Sequence, residues 1–155
     1  MAAAVLAALC MAVSSPALAE ESGDYEKYAF LSALDIISVA EDNADEKVSR
    51  ARLAFIAAKA FCINSENGTN FMNYRDVDEN TPYAGAIDAI SGIRAAGGCD
   101  GYFYPNRTAL TGEAVKIIIT AMGYDFKAER LGGYPYGYIE TARELDLIKD
   151  IDLAL

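Results

Sequence analysis

The sequence predicts a mainly α-helical protein built from short helix–loop–helix units, and three observations support this prediction. Apolar residues recur at spacings of three and four residues in several segments, which is the period of a helix with one buried face. The tetrapeptides LDII, ISGI and LDLI begin at Leu34, Ile90 and Leu145, so they lie 56 and 55 residues apart. A second type of apolar helix pattern begins near Val48 and again near Ala109, 61 residues later. Recurrence at a near-constant interval is typical of tandem structural repeats.

The first 19 residues differ from the rest of the chain. The segment MAAAVLAALCMAVSSPALA has no charged residue, its apolar run is too short to span a bilayer, and Ala17-Leu18-Ala19 fits a small-residue cleavage site. We interpret residues 1–19 as a signal peptide that is cleaved before Glu20; the alternative is a buried or membrane-anchoring N-terminal helix. The prediction is a secreted protein.

The remaining chain divides into a first repeat (20–66), a second repeat (67–124) and the first half of a third (125–155). In the second repeat we predict that Thr81 caps a helix and that Pro82 occupies its first position. The apolar residues that follow at helical spacing are Tyr83, Ala86, Ile87 and Ile90. The same spacing recurs in the third repeat at Ile139, Ala142 and Leu145.

The second helix of each repeat follows a loop. Ser49 is the predicted cap of the helix VSRARLAFIAAKAF, and Gly123 is the predicted stop of the helix EAVKIIITAM. The loop DGYFYPN joins the two helices of the second repeat. We predict a tight turn at Asp100-Gly101 and a Phe103 ring that lies between the helices.

Charge and composition exclude several functions. The formal net charge is −10, with 23 acidic and 13 basic residues and no basic stripe, so nucleic acid is not an expected partner. The chain has no histidine, which excludes Ser-His-Asp and Cys-His catalysis and any histidine-containing zinc site. No glycine-rich phosphate loop occurs. We therefore predict a protein that is not an enzyme and has no cofactor and no metal.

The segment DVDENTPYAGAI begins like a calcium-binding loop, with Asp76, Asp78 and Asn80. Its sixth position is Thr81 rather than glycine, and its twelfth is Ile87 rather than glutamate. We therefore do not predict a calcium site.

Two cysteines, Cys62 and Cys99, follow the predicted signal peptide. In an oxidising compartment they could form a disulfide; the alternative is that both are small buried apolar side chains. The sequence leaves both alternatives open.

Several motifs resemble S-layer homology domains, the repeats that anchor proteins to bacterial cell surfaces. The second repeat reads YRDVDENTPYAGAIDAISGI, then DGYFYPN, then ALTGEAV, and the first ends in VSRARLA. These stretches are similar, in order and spacing, to the family pattern, whose second helix starts with Thr-Arg-Ala-Glu. The chain departs from that pattern where Arg52 replaces the glutamate and where LTGE lacks the arginine. The third repeat stops at Leu155, before its loop and second helix.

The resemblance implies three units around a pseudo-threefold core and attachment to an anionic secondary cell-wall polysaccharide, often one with ketal-linked pyruvate. It implies that Arg50, Tyr83 and Asp76 contact this ligand. The alternatives are a solvated cation at a helix start for Arg50, an aromatic at the edge of the core for Tyr83, and a turn or cap for Asp76. Two other functions stay open: a degenerate array that binds other S-layer proteins as a scaffold, or the anchor of an enzyme encoded beyond Leu155.

Overall fold

The computed structural model describes residues 29–37, 47–65 and 74–148. Those residues contain five helices that we label in chain order, and residues 29–33 are also helical. In these ranges, β structure is limited to two isolated β-bridges. The mainly α class is therefore confirmed. The helices are α1 (Arg50–Ala60), α2 (Ala84–Gly92), α3 (Thr111–Ala121), α4 (Asp125–Arg130) and α5 (Tyr136–Glu144).

Part of the prediction concerns other residues. The proposed signal peptide at 1–19 and most of the loop of the first repeat lie outside the described residues. Among the described helices, none combines the length and the apolar character that a membrane span requires.

The apolar side chains form two clusters that meet at α3. The first cluster lies between α1, α2 and α3, and Phe103, which is only 1 % exposed, fills its centre from the connecting loop. The second cluster lies between α3, α4, α5 and residues 31–37. Each helix is too short to bury its apolar face alone, so the packing of α1 on α2 and of α5 on α3 and α4 holds the fold together.

The start of α1 agrees with the prediction and the start of α2 does not. The Ser49 hydroxyl accepts a hydrogen bond from Arg52 N at 3.2 Å, which satisfies one free amide of the first turn. Helix α2 begins only at Ala84, because Tyr83 has a left-handed backbone (φ 62°) that interrupts the helix. The predicted cap at Thr81 is therefore wrong: its hydroxyl accepts from Asp78 N at 2.9 Å instead.

The helix at residues 29–33, α2 and α5 end in the arrangement that also ends α1, α3 and α4. Asp35, Arg94 and Asp146 have left-handed backbones, with φ of 54°, 62° and 60°. Each donates its N–H to the carbonyl three residues earlier, and the next residue donates to the carbonyl five residues earlier. This is the Schellman arrangement, which satisfies the last carbonyls of a helix.

These helix ends correct the alignment of the tetrapeptides. The residue before the left-handed position is Leu34 in one copy, Ile93 in the next and Leu145 in the last. Leu34 is 50 % exposed and Ile93 40 %, whereas Ile90 is fully buried. The prediction that Ile90 corresponds to Leu34 is therefore wrong by three residues. What these segments share is the backbone conformation at the helix end, and not the position of the tetrapeptide.

Helices α1 and α3 also end alike. Cys62 and Gly123, which lie 61 residues apart, have left-handed backbones with φ of 53° and 82°. Each N–H donates to the carbonyl three residues earlier, Lys59 in one helix and Thr120 in the other. The predicted stop at Gly123 is confirmed.

Candidate functional site

The starts of α1 and α3 lie side by side. Ser49 and Thr108 form an isolated antiparallel bridge. Around it, Arg50 N donates to Arg107 O and Ala109 N donates to Val48 O, both at 2.9 Å. This short pairing brings the first turn of each helix to one place on the surface, where the side chains from both can meet.

Arg50 is buried at this junction, with 7 % of its surface exposed. Its Nε donates to Phe103 O and its Nη2 to Gly97 O, both at 2.8 Å, and its Nη1 donates to Oε1 of Glu113. The guanidinium lies 4.5 Å from the centre of the Phe103 ring. The alternative that Arg50 is a solvated cation is therefore wrong, because its side chain joins the loop to the start of α3.

Glu113 is the shared acceptor of the junction. Its Oε1 accepts from Arg50 and also from Arg107 Nη2, at 2.5 Å for the latter. Its Oε2 accepts from Leu110 N at 2.9 Å, at the start of α3. One carboxylate thus faces two guanidinium groups, so this group of three side chains has a formal charge of +1.

A cleft of about 320 Å³ opens beside these charges. It is lined by side chains from the start of α1, the loop before α3 and the first turn of α3: Arg50, Gly97, Gly98, Cys99, Tyr104, Arg107 and Glu113. Exposed backbone at the two glycines leaves space next to the arginines. The cleft therefore combines hydrogen-bond donors, an excess of positive charge and one aromatic side chain.

A smaller cleft of about 120 Å³ adjoins it through Arg50, Gly97 and Glu113. Lys116 and Tyr134 also line this second space, and Lys116 Nζ lies 5.7 Å from the centre of the Tyr134 ring. Burial, and secondly the charge of Glu113, raise the pKa of Tyr134. Lys116 adds a third cation to a small region of a chain whose net charge is −10.

Asp76 does not line the cleft but holds the backbone of the loop that does. Its Oδ1 accepts from Phe103 N at 2.8 Å and its Oδ2 from Tyr104 N at 2.7 Å. Both carboxylate oxygens are therefore bonded to the backbone of a loop that is 27 and 28 residues away in the sequence, which differs from the local turn or cap of the alternative interpretation. Asp76 is not among the residues that line either cleft.

Tyr83 lies at the interface of α1 and α2. Its ring centre is 4.7 Å from that of Phe55, and its hydroxyl accepts from Arg52 Nη1 at 3.1 Å. Tyr83 is half-buried and does not line the clefts. Of the three predicted ligand residues, only Arg50 lines the cleft. Asp76 bonds to the backbone of the loop beside the cleft, and Tyr83 lies at the interface of α1 and α2.

Sequence reasoning missed five charged or tyrosine residues that line the clefts: Tyr104, Arg107, Glu113, Lys116 and Tyr134. The prediction considered a ligand-binding cation only at the position of the arginine in the Thr-Arg-Ala-Glu pattern. Arg107 directly follows the loop motif YPN, and that position was the available indication. Lys116 and Tyr134 reach the site through the packing of α5 on α3, which the sequence pattern does not specify.

Cys62 and Cys99 are both free and exposed. Neither the disulfide nor the buried alternative is therefore correct. Cys99 lines the larger cleft, and its Sγ lies 3.6 Å from Oδ2 of Asp100. Cys99 belongs to the predicted tight turn at Asp100-Gly101, which is confirmed because Cys99 and Tyr102 exchange two backbone hydrogen bonds of 2.9 Å.

The calcium-like segment forms a local turn. Asp78 Oδ1 accepts from Asn80 N at 2.9 Å and from the Thr81 hydroxyl at 3.0 Å. Within the described ranges, no group of three acidic, cysteine or histidine side chains is placed to hold a metal ion.

No family model, curated protein or solved structure matches the chain. The resemblance to S-layer homology domains therefore depends on the sequence motifs alone.

Proposed function

We propose that the chain is a non-catalytic anchoring module whose cleft binds an anionic group of a secondary cell-wall polysaccharide, with a ketal-linked pyruvate as the best fit. One observation carries the proposal: Arg50 and Arg107 converge on the single carboxylate of Glu113 at the wall of an open cleft. Planar guanidinium groups bind carboxylates through paired hydrogen bonds, which a sugar-borne carboxylate can accept.

Arg107 is the residue best placed to bind such a ligand. Its side chain is 41 % exposed, compared with 7 % for Arg50. A guanidinium has five N–H donors, and the protein acceptors of Arg107 are Thr108 O and Glu113. We therefore assign Arg107 to direct contact and Arg50 to both contact and support.

The overall charge of the chain opposes this proposal only weakly. A chain of net charge −10 repels an anionic polymer at long range. At physiological salt this repulsion is screened over about 8 Å, so a local group of three cations against one acid can still attract a carboxylate.

The arrangement that we propose for the chain is a tandem of S-layer homology units around a pseudo-threefold core. It is supported by the constant spacing of 61 residues between the starts and between the ends of α1 and α3. Together with the proposed signal peptide at 1–19, the arrangement suggests a secreted protein at the cell wall.

The test uses purified chain and cell-wall sacculi, before and after chemical removal of the secondary polymer. We expect retention only on untreated sacculi. Arg107→Gln should lower the affinity about tenfold, which corresponds to the loss of one charge-assisted hydrogen bond. Arg143→Gln, on the exposed surface of α5, is the matched control and should bind like wild type. Equal retention on both kinds of sacculi, or on neither, would reject the proposal.

A second candidate function is a scaffold element that binds other S-layer proteins. The observation that favours it is the exposure of large apolar side chains near α4 and α5, namely Phe126 at 73 % and Tyr136 at 67 %. Sedimentation velocity over a range of concentrations distinguishes the two: self-association without binding to sacculi would favour the scaffold.

A further inference from the structure

Tyr104 has an unusual backbone at the edge of the larger cleft. Its φ is 61°, a left-handed conformation that bulky residues rarely adopt, and the side chain is 44 % exposed. Strained residues of this kind persist where the surrounding structure holds them, and they cluster at ligand sites. Tyr104 belongs to neither apolar cluster, so core packing does not explain the strain.

Two polar contacts hold Tyr104 in this conformation. Its N–H donates to Oδ2 of Asp76 at 2.7 Å, and its carbonyl accepts from Arg107 N at 3.1 Å. The other oxygen of Asp76 holds Phe103 N at 2.8 Å. The same short turn therefore fixes the backbone of the exposed tyrosine and of the arginine that lines the cleft.

The neighbouring aromatic residues brace the Tyr104 ring. Phe103 is buried, while Tyr104 is exposed. The rings of Tyr102 and Tyr104 are stacked, with centres 5.8 Å apart, and the Arg75 guanidinium lies 5.7 Å from the centre of the Tyr102 ring. Ordering Tyr104 in advance lowers the entropic cost of ligand binding.

We infer that Tyr104 is the aromatic platform for the pyranose ring that bears the anionic group, and that Asp76 is the positioning residue that holds this platform. The inference rests on the proposed function and adds a specificity to it. The guanidinium groups of Arg50 and Arg107 bind the carboxylate, while Tyr104 contacts the apolar face of the sugar beside it. The cleft should therefore select an anionic sugar over the free anion, and Tyr83, which is apart from the cleft, is not the stacking residue.

The experiment is a calorimetric titration of the full chain with two probes: pyruvate, and a methyl hexopyranoside that bears a pyruvate ketal. We expect wild type to bind the glycoside at least about tenfold more tightly than pyruvate. Tyr104→Gly should remove this preference and leave the affinity for pyruvate unchanged, and Tyr104→Phe should retain it. Tyr136→Ala, at another exposed tyrosine that does not line the cleft, is the matched control.

Stability measurements separate the ligand role from a structural role. Glycine adopts a positive φ without strain, so Tyr104→Gly should not lower the melting temperature. Asp76→Asn should reduce the preference for the glycoside, and the same change should have no further effect on that preference when Tyr104 is already glycine. An additional loss in the double variant would show that Asp76 does not act through Tyr104.

The two proposals fail in different ways. If Tyr104→Gly binds the glycoside as tightly as wild type, the platform is wrong while the anchoring function stands. If wild type binds neither probe but is retained on untreated sacculi, the platform is wrong while the anchoring function stands; if it is not retained either, both are overturned.

Discussion

The starts of α1 and α3 lie side by side and 61 residues apart in the sequence, yet their first turns carry opposite charges. At α1, Ser49 caps the helix and Arg50 follows it. The third residue after the cap is Arg52, whereas the third residue after the cap position of α3 is an acid. At α3, Leu110 occupies the cap position, and Glu113 bonds back to Leu110 N at 2.9 Å. Neither start has both the cation and the acid. Arg50 of one pairs with Glu113 of the other, so what each helix lacks is supplied by its neighbour.

Electrostatics explains why this pairing matters. A helix N-terminus carries partial positive charge, so a buried cation such as Arg50 in the first turn is unfavourable unless an anion compensates for it. Glu113 is that anion, and its own position in the first turn of α3 is favourable. The cation at the start of α1 and the acid at the start of α3 therefore compensate for one another across the interface.

The largest expected effect follows from removing the shared acid. Glu113→Gln leaves the buried Arg50 without its counter-charge and weakens the bond to Leu110 N, so we expect a loss of about 3 kcal/mol in the free energy of unfolding. Urea denaturation measures it. The matched control is Glu140→Gln, whose partner Arg143 is exposed at 3.6 Å, and it should cost less than about 0.5 kcal/mol. Similar losses in both variants would mean that the junction is no stronger than a surface pair.

Substitutions at the two cap positions should change the free energy of unfolding by smaller amounts and in opposite directions. Ser49→Ala removes the hydroxyl that accepts from Arg52 N, and we expect a loss of about 1 kcal/mol. Leu110→Ser adds a cap at an exposed position that has none, so we expect a gain of up to about 1 kcal/mol. Thermal unfolding of both variants tests this. No gain in Leu110→Ser would show that the two starts are not equivalent in backbone geometry.

The smallest expected effects are at the ends of the same helices. Gly123→Ala places a side chain on a left-handed residue, where the open surroundings allow no clash, and we expect a loss of about 1 kcal/mol. Cys62→Gly relieves the same strain at the corresponding position, but it also makes the unfolded chain more flexible. We therefore expect a gain of about 0.5 kcal/mol. Denaturation of the two variants should give opposite signs; equal signs would contradict the correspondence.

The sequence pattern predicted what depends on local chemistry. The helix period located the apolar faces, the hydroxyl of Ser49 predicted a cap, and Asp100-Gly101 predicted a tight turn. The start of α2 was wrong because Tyr83 adopts a left-handed conformation that its residue type does not indicate. In the same way, Arg94 ends its helix without a glycine, which is why the alignment of Ile90 was wrong.

The site was only partly predictable, because its charges come from segments that are distant in sequence. The motif identified Arg50 as important, but its partner Glu113 lies 63 residues further along the chain. The motif also identified Asp76, although it acts on the backbone of Phe103 and Tyr104. Packing of two helix starts against each other decides which polar groups meet, and no local pattern encodes it.

The most direct test is a double-mutant cycle with Arg50→Met, Glu113→Gln and the double variant, followed by urea denaturation. It measures the coupling free energy between the two helix starts, on which the cleft depends. We expect a coupling of about 2 kcal/mol or more, because Glu113→Gln removes the counter-charge of the buried Arg50 and Arg50→Met removes one of the two guanidinium groups that pair with Glu113. A coupling below about 0.5 kcal/mol would contradict the account, since the two starts would then be independent.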